Sequence, residues 1–86
     1  MDISNFWVVI FTWVMSFGPA STLLEKGGQV LRFETYKECE EYMLAKAETS
    51  KLTKSVKLRN IANGRVQADV ISIYGDPMLY ACAEIK

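Results

Sequence analysis

Phe6-Trp7-Val8-Val9-Ile10-Phe11-Thr12-Trp13-Val14-Met15-Ser16-Phe17 is the stretch on which the fold turns. Ten of its twelve residues are apolar or aromatic. A membrane-spanning helix needs about 20 such residues, so the stretch is too short to cross a bilayer. A secretory signal would fit the apolar length, with Gly18-Pro19-Ala20 as a small-residue cleavage site. The flank Met1-Asp2-Ile3-Ser4-Asn5 carries an acid and no Lys or Arg, where a signal has a basic n-region. The residue types read instead as a β-strand. Val8, Val9, Ile10, Thr12 and Val14 are β-branched, and Phe6, Trp7, Phe11 and Trp13 are aromatic, the two classes that suit a pleated surface.

Alternate residues of a strand point to opposite faces. One face of this strand carries Trp7, Val9, Phe11, Trp13 and Met15; the other carries Phe6, Val8, Ile10, Thr12 and Val14. Neither is polar, and a strand apolar on both sides is expected to be covered on both sides. The aliphatic face suits packing under a helix. The bulkier face, Trp7, Phe11, Trp13 and Met15, is the one expected to meet a partner, since Trp and Met are enriched at protein interfaces.

Outward from this strand, residues 18–28 (GPASTLLEKGG) read as a connection bounded by Gly18-Pro19 and Gly27-Gly28. Gln29–Glu34 reads as a second strand, paired with the first as a hairpin. Thr35-Tyr36-Lys37-Glu38 then matches a capping box, in which the Thr hydroxyl and the Glu carboxylate each satisfy a free backbone N–H at a helix start. Tyr36, Cys39, Met43 and Ala47 recur at helical spacing, which predicts a helix over 36–49. Val56–Ala62 and Arg65–Tyr74 flank Asn63-Gly64, the pair a type I′ hairpin turn prefers. Gly75-Asp76-Pro77 is a further turn, and Met78–Ile85 alternates as a last strand. The expected fold class is α+β: a mostly antiparallel sheet with one helix, in the order β-β-α-β-β-β, forming a single domain over 1–86.

Composition bounds function. The 86 residues are 50% hydrophobic and 12% aromatic, which excludes a disordered chain. Ten basic and ten acidic side chains cancel, so no net field draws the chain to polyanions. The absence of histidine removes the commonest general base and metal ligand. Ser–His and Cys–His nucleophiles cannot be assembled, and neither a P-loop nor a GxGxxG loop is present. No catalytic residue, no cofactor, no metal and no small-molecule substrate are therefore expected. Cys39 and Cys82 read as two buried thiols of a cytoplasmic protein. If the last strand lies under the helix, the alternative is that they bridge.

Charge is uneven: residues 1–45 carry net −3 and residues 46–86 net +3. Lys51, Lys54, Lys57, Arg59 and Arg65 form the densest basic run and are the candidate nucleic-acid contacts, though no aromatic stacking platform or helix-turn-helix accompanies them. On a sheet edge, the same lysines deter edge-to-edge aggregation.

Phe33-Glu34-Thr35-Tyr36-Lys37-Glu38-Cys39, with Tyr80-Ala81-Cys82 near the end, resembles a pattern in small bacteriophage-encoded α+β proteins of unassigned function. There a strand ends in F-x-T, a helix carries a Cys in its second turn, and a late strand carries another. The resemblance covers about half the chain. It implies an accessory protein that binds and inhibits a host or defence protein, in the manner of anti-CRISPR proteins. The expectation is a non-enzymatic, cytoplasmic protein-binding module acting as a homodimer or on a host protein. Nucleic-acid binding through 46–65 is the alternative, and a membrane-associated protein anchored by 6–17 a second alternative; a membrane partner is not the expected one.

Overall fold

A computed structural model describes residues 5–85. Seven strands and one long helix follow one another: β1 (Phe6–Met15), β2 (Gly18–Leu23), β3 (Glu25–Lys26), β4 (Gln29–Val30), α1 (Tyr36–Thr49), β5 (Thr53–Asn60), β6 (Val66–Ser72) and β7 (Pro77–Ile85). Five strands form one antiparallel sheet in the order β2-β1-β7-β6-β5, and β3 and β4 form a separate two-stranded hairpin. This is the α+β class expected from the sequence, with one helix against a mostly antiparallel sheet.

Two expectations on β-structure need correction. Residues 18–23, read as a connection, are β2, which pairs with β1 from Ile10↔Leu23 to Met15↔Gly18. Pro19 suggested a loop, but proline is tolerated on an edge strand, where its missing N–H breaks no ladder. The strand expected over 29–34 is divided. Gln29–Val30 pairs with β3, and only Phe33 reaches β1, exchanging backbone hydrogen bonds with Trp7 at 2.8 and 2.9 Å.

Helix α1 forms where the capping box places it. The Glu38 N–H donates to Thr35 Oγ1 at 3.2 Å, and the Thr35 N–H donates to Glu38 Oε1 at 3.3 Å. Cys39, Met43 and Ala47 recur every four residues and are fully buried. At the other end the Ser50 N–H bonds the Lys46 carbonyl, and Thr53 Oγ1 donates to the Ala47 carbonyl at 2.7 Å, tying β5 to the last turn. The β5–β6 turn follows its Asn-Gly chemistry. Asn63 and Gly64 have φ of 64° and 72°, a region costly for most side chains and open to these two. Ser72, buried and polar, organises the β6–β7 connection: its Oγ accepts from the Tyr74 and Asp76 N–H groups at 3.1 Å each. Both orphan donors of the turn are thus satisfied without water.

The core lies between α1 and one face of the sheet. Val9, Ala68, Val70, Met78, Tyr80 and Cys82 meet Cys39, Met43 and Ala47 there. Strands β6 and β7 alternate strictly along their middles, buried on the helix side and less buried on the other.

Candidate interaction face

The register of β1 on β7 decides which face of the doubly apolar strand the helix covers. Val9 sits opposite Cys82, Phe11 opposite Tyr80 and Trp13 opposite Met78. Cross-strand partners share a face. Cys82 is joined to Cys39 of α1 by a disulfide, with 6.2 Å between the Cα atoms. The helix therefore covers the Trp7/Val9/Phe11/Trp13 side. This reverses the expectation that the aromatic side is open and the aliphatic side covered. Trp7 packs edge-on against Tyr36 of the helix at 5.3 Å, and Phe11 lies 4.9 Å from the Tyr80 ring and 6.3 Å from Trp13. The wide rings flank the helix and fill the space beside it, helped by Leu24. Met15 lies at the end of β1, beyond its pairing with β7, and is half-buried. Trp7, Phe11 and Trp13, expected to meet a partner, thus line the margin of the core.

The disulfide also corrects the expectation of two free thiols. β7 runs under the helix, so the condition stated for a bridge is met.

What remains uncovered is the opposite face. Phe6, Val8, Ile10 and Thr12 of β1 lie opposite Ile85, Ala83, Ala81 and Leu79 of β7, and Val14 continues the face beyond that pairing, opposite Pro19 of β2. Ile71 of β6 and Leu23 of β2 extend it on either side. Ile71 and Ile85 are exposed, and the others are only partly covered. Val8 is the exception, 1% exposed yet outside the core cluster. Among the described residues no helix or strand lies over this face. Its one hydroxyl on β1 is already paired, since Thr12 Oγ1 and Ser21 Oγ are 2.8 Å apart. Excluding water from the face therefore leaves one hydroxyl proton of this pair to be satisfied and no charged group of β1. Three strands spaced ~4.8 Å apart and nine residues rising ~3.3 Å each give a footprint of about 14 by 30 Å, or ~400 Å². Contiguous apolar patches of several hundred Å² mark interaction sites on monomeric proteins.

The polar border lies on the β5 side. Arg59 Nε is 3.1 Å from Asp69 Oδ2, and Gln67 Nε2 donates to Asp69 Oδ1 at 2.8 Å. Arg32, at the β1 side, stacks 4.7 Å over the Phe6 ring. This cation sits against an aromatic face, which its delocalised charge favours.

The candidate nucleic-acid contacts do not converge. Lys51 is in the α1–β5 turn, and Lys54, Lys57 and Arg59 follow along the outer strand β5. Arg59 is paired with Asp69. Arg65 lies across the sheet end, its guanidinium 4.7 Å over Trp7 and 5.9 Å from Tyr36. A phosphate-binding surface needs its cations free and on one side; here two of the five are engaged within the chain. The placement of Lys54 and Lys57 on an unpaired edge fits the role of keeping other strands away.

Carboxylates are similarly engaged: Glu38 in the capping box, Asp69 with Arg59, and Glu40 with the Tyr36 hydroxyl at 3.4 Å. Among the described residues no three Cys, Asp or Glu side chains cluster as a metal site. Among the described residues no helix is long and apolar enough to cross a membrane. Two tyrosines have raised pKa values. Burial is the main cause for both Tyr80 and Tyr36, partly offset by hydrogen bonds from Ser50 and the Val66 N–H respectively. Tyr80 packs in the core and Tyr36 at its margin, where its hydroxyl donates to Glu40 and accepts from the Val66 N–H.

No family model, no curated protein and no solved structure matches this chain. The open face was missed from sequence because it shares strands with the core. A usable signal was present: the two cysteines, if bridged, force Cys82 and its cross-strand neighbours under the helix.

Proposed function

We propose that this chain is a stoichiometric protein-binding module with no chemistry of its own, and that its open sheet face pairs with a second copy of the chain. The observation that carries this reading is the aliphatic face of β1 and β7, left bare by the single helix. Sheets pack face to face about 10 Å apart through such aliphatic surfaces. The face carries no unpaired charge at its centre, and the chain's net charge is zero, so two copies meet without repulsion. Closed two-fold dimers are the commonest oligomers. A footprint of ~400 Å² against about 800 Å² per partner in a standard interface makes the pair a small one, expected to dissociate on dilution. A host or defence protein, as the resemblance to phage accessory proteins implies, would occupy the same face in place of the second copy.

The Cys39–Cys82 bridge supports an oxidising compartment over the cytoplasmic location expected from sequence, because cytosolic thiols are kept reduced.

The test is light scattering behind a sizing column over a dilution series, with the oxidised chain and its Ile10→Glu and Leu79→Glu variants. The expected result is a species near twice 9.7 kDa at high concentration that both variants reduce to monomer. Both positions face away from the core, so circular dichroism should be unchanged. A wild-type monomer at every concentration, or a dimer that both variants leave intact, overturns the pairing.

A further inference from the structure

Of the apolar stretch 6–17, only Ser16 and Phe17 lie beyond strand β1, at its turn into β2. Phe17 is 85% exposed at the tip of this turn. The β6–β7 turn projects from the same end of the sheet, because Trp13 pairs with Met78 and Ile71 with Pro77 just before the two turns begin. It carries Ile73, 52% exposed, and Tyr74, 70% exposed. With β1, β7 and β6 adjacent, the two tips stand about two strand spacings, ~10 Å, apart. The second tip is held firmly. Ser72 Oγ accepts from the Tyr74 N–H, the Gly75 N–H bonds the Ser72 carbonyl, and the Ile73 N–H bonds the Leu52 carbonyl at 2.8 Å. That last bond brings the turn bearing Lys51 alongside, with Lys54 just beyond it. Asp76 and Glu48 lie at the same end, so two acids balance these two lysines in formal charge.

We propose that this end of the sheet docks on a lipid surface, with Phe17, Ile73 and Tyr74 entering the headgroup–acyl boundary. Three apolar side chains on separate convex tips make no continuous surface, so a rigid protein would need matched pockets for each. A fluid interface accepts them at any spacing. Aromatic rings prefer that interface, and Tyr keeps its hydroxyl in the wet layer. With its formal charges balanced, this end relies on the apolar tips for binding and gains little from anionic lipid. The proposal is independent of the dimer: it uses the sheet's end and leaves its face free.

The experiment is sedimentation of the oxidised full chain with phosphatidylcholine vesicles, alone or mixed with phosphatidylglycerol. The wild type is expected to pellet with both to a similar extent. The Phe17→Ser/Tyr74→Ser double variant, altered only at exposed turn positions, is expected to lose about tenfold or more in partitioning, since membrane affinity follows buried apolar area. No pelleting of wild type overturns the proposal, as does pelleting that the double variant retains. Retention by the double variant with loss in Ile10→Glu would place the sheet face itself on lipid, overturning this proposal and the dimer reading together. Failure of pelleting with an intact dimer would sink this proposal alone.

Discussion

Reducing the Cys39–Cys82 bridge is the perturbation whose effect the structure fixes most directly. The bond joins residues 43 apart and connects the N-terminal part of the core-facing side of α1 to the strand beneath it. In the chain-entropy treatment, closing a loop of that size lowers the entropy of the unfolded ensemble by about 13 cal/mol/K, or ~4 kcal/mol at 25 °C. Domains of this size have small cores and total stabilities near the low end of about 5–15 kcal/mol. The bridge thus contributes a large share of what holds the chain folded. With an unfolding entropy of about 2.1 cal/mol/K per residue, 86 residues give ~0.18 kcal/mol/K, and 4 kcal/mol corresponds to a melting shift of about 20 °C. The assay compares thermal melts of the same chain with and without a phosphine reductant, with both thiols titrated in the reduced sample. Reduction at constant sequence is preferable to Cys→Ala, which would add a cavity to the loss of the link. A shift below about 5 °C with two thiols titrated would refute the reasoning. So would two free thiols in the chain denatured without reductant, which would remove the bridge altogether.

Two further outcomes follow from local features. Thr35→Ala removes the hydroxyl that accepts the Glu38 N–H, while the Thr35 backbone N–H keeps its bond to Glu38, and is expected to cost about 1 kcal/mol, read as a lower urea midpoint at unchanged slope. Tyr36 and Tyr80 have folded pKa values raised above the ordinary 10.0, chiefly by burial. Their stabilising contribution is therefore complete below pH 10 and declines as pH rises through the higher folded values. Alkaline titration followed at 295 nm, with wild type compared against Tyr36→Phe and Tyr80→Phe, should show that each variant loses signal from the later part of the tyrosine ionisation; loss from the earlier part would contradict the burial.

Local signals in the sequence carried the helix and most of the strands. Thr35 and Glu38 mark where α1 begins because their side chains bond the first free N–H groups, a matter of four residues. Asn63-Gly64 marks its turn for an equally local reason, backbone conformation. Strand β2 was hidden because Gly18-Pro19 carries the signature of a turn, while its pairing depends on β1, supplied from elsewhere in the chain. The faces of β1 were misassigned for a deeper reason. A strand apolar on both sides has no polarity to say which side is core. The decision is made in the last ten residues, where Met78, Tyr80 and Cys82 alternate under the helix and Cys82 meets Cys39. The dispersal of the basic residues was likewise invisible, since Arg65 finds Trp7 only across the finished fold.

The pairing of β1 with β7 sets the order in which this chain can assemble. Phe6 stands opposite Ile85, so the central ladder joins nearly the whole length of the chain. Contacts of such long sequence separation form late and slowly, after the loop-closure entropy has been met. During synthesis the most apolar strand, β1, emerges before the other strands described, and its central neighbour β7 emerges after them. In that interval β1 has only the local β2 to pair with, and both of its faces are without cover. The segment most prone to associate with other chains is thus the one exposed for longest. Its safety rests on the arrival of the final strand, which supplies the central ladder and the second half of the disulfide in a single event.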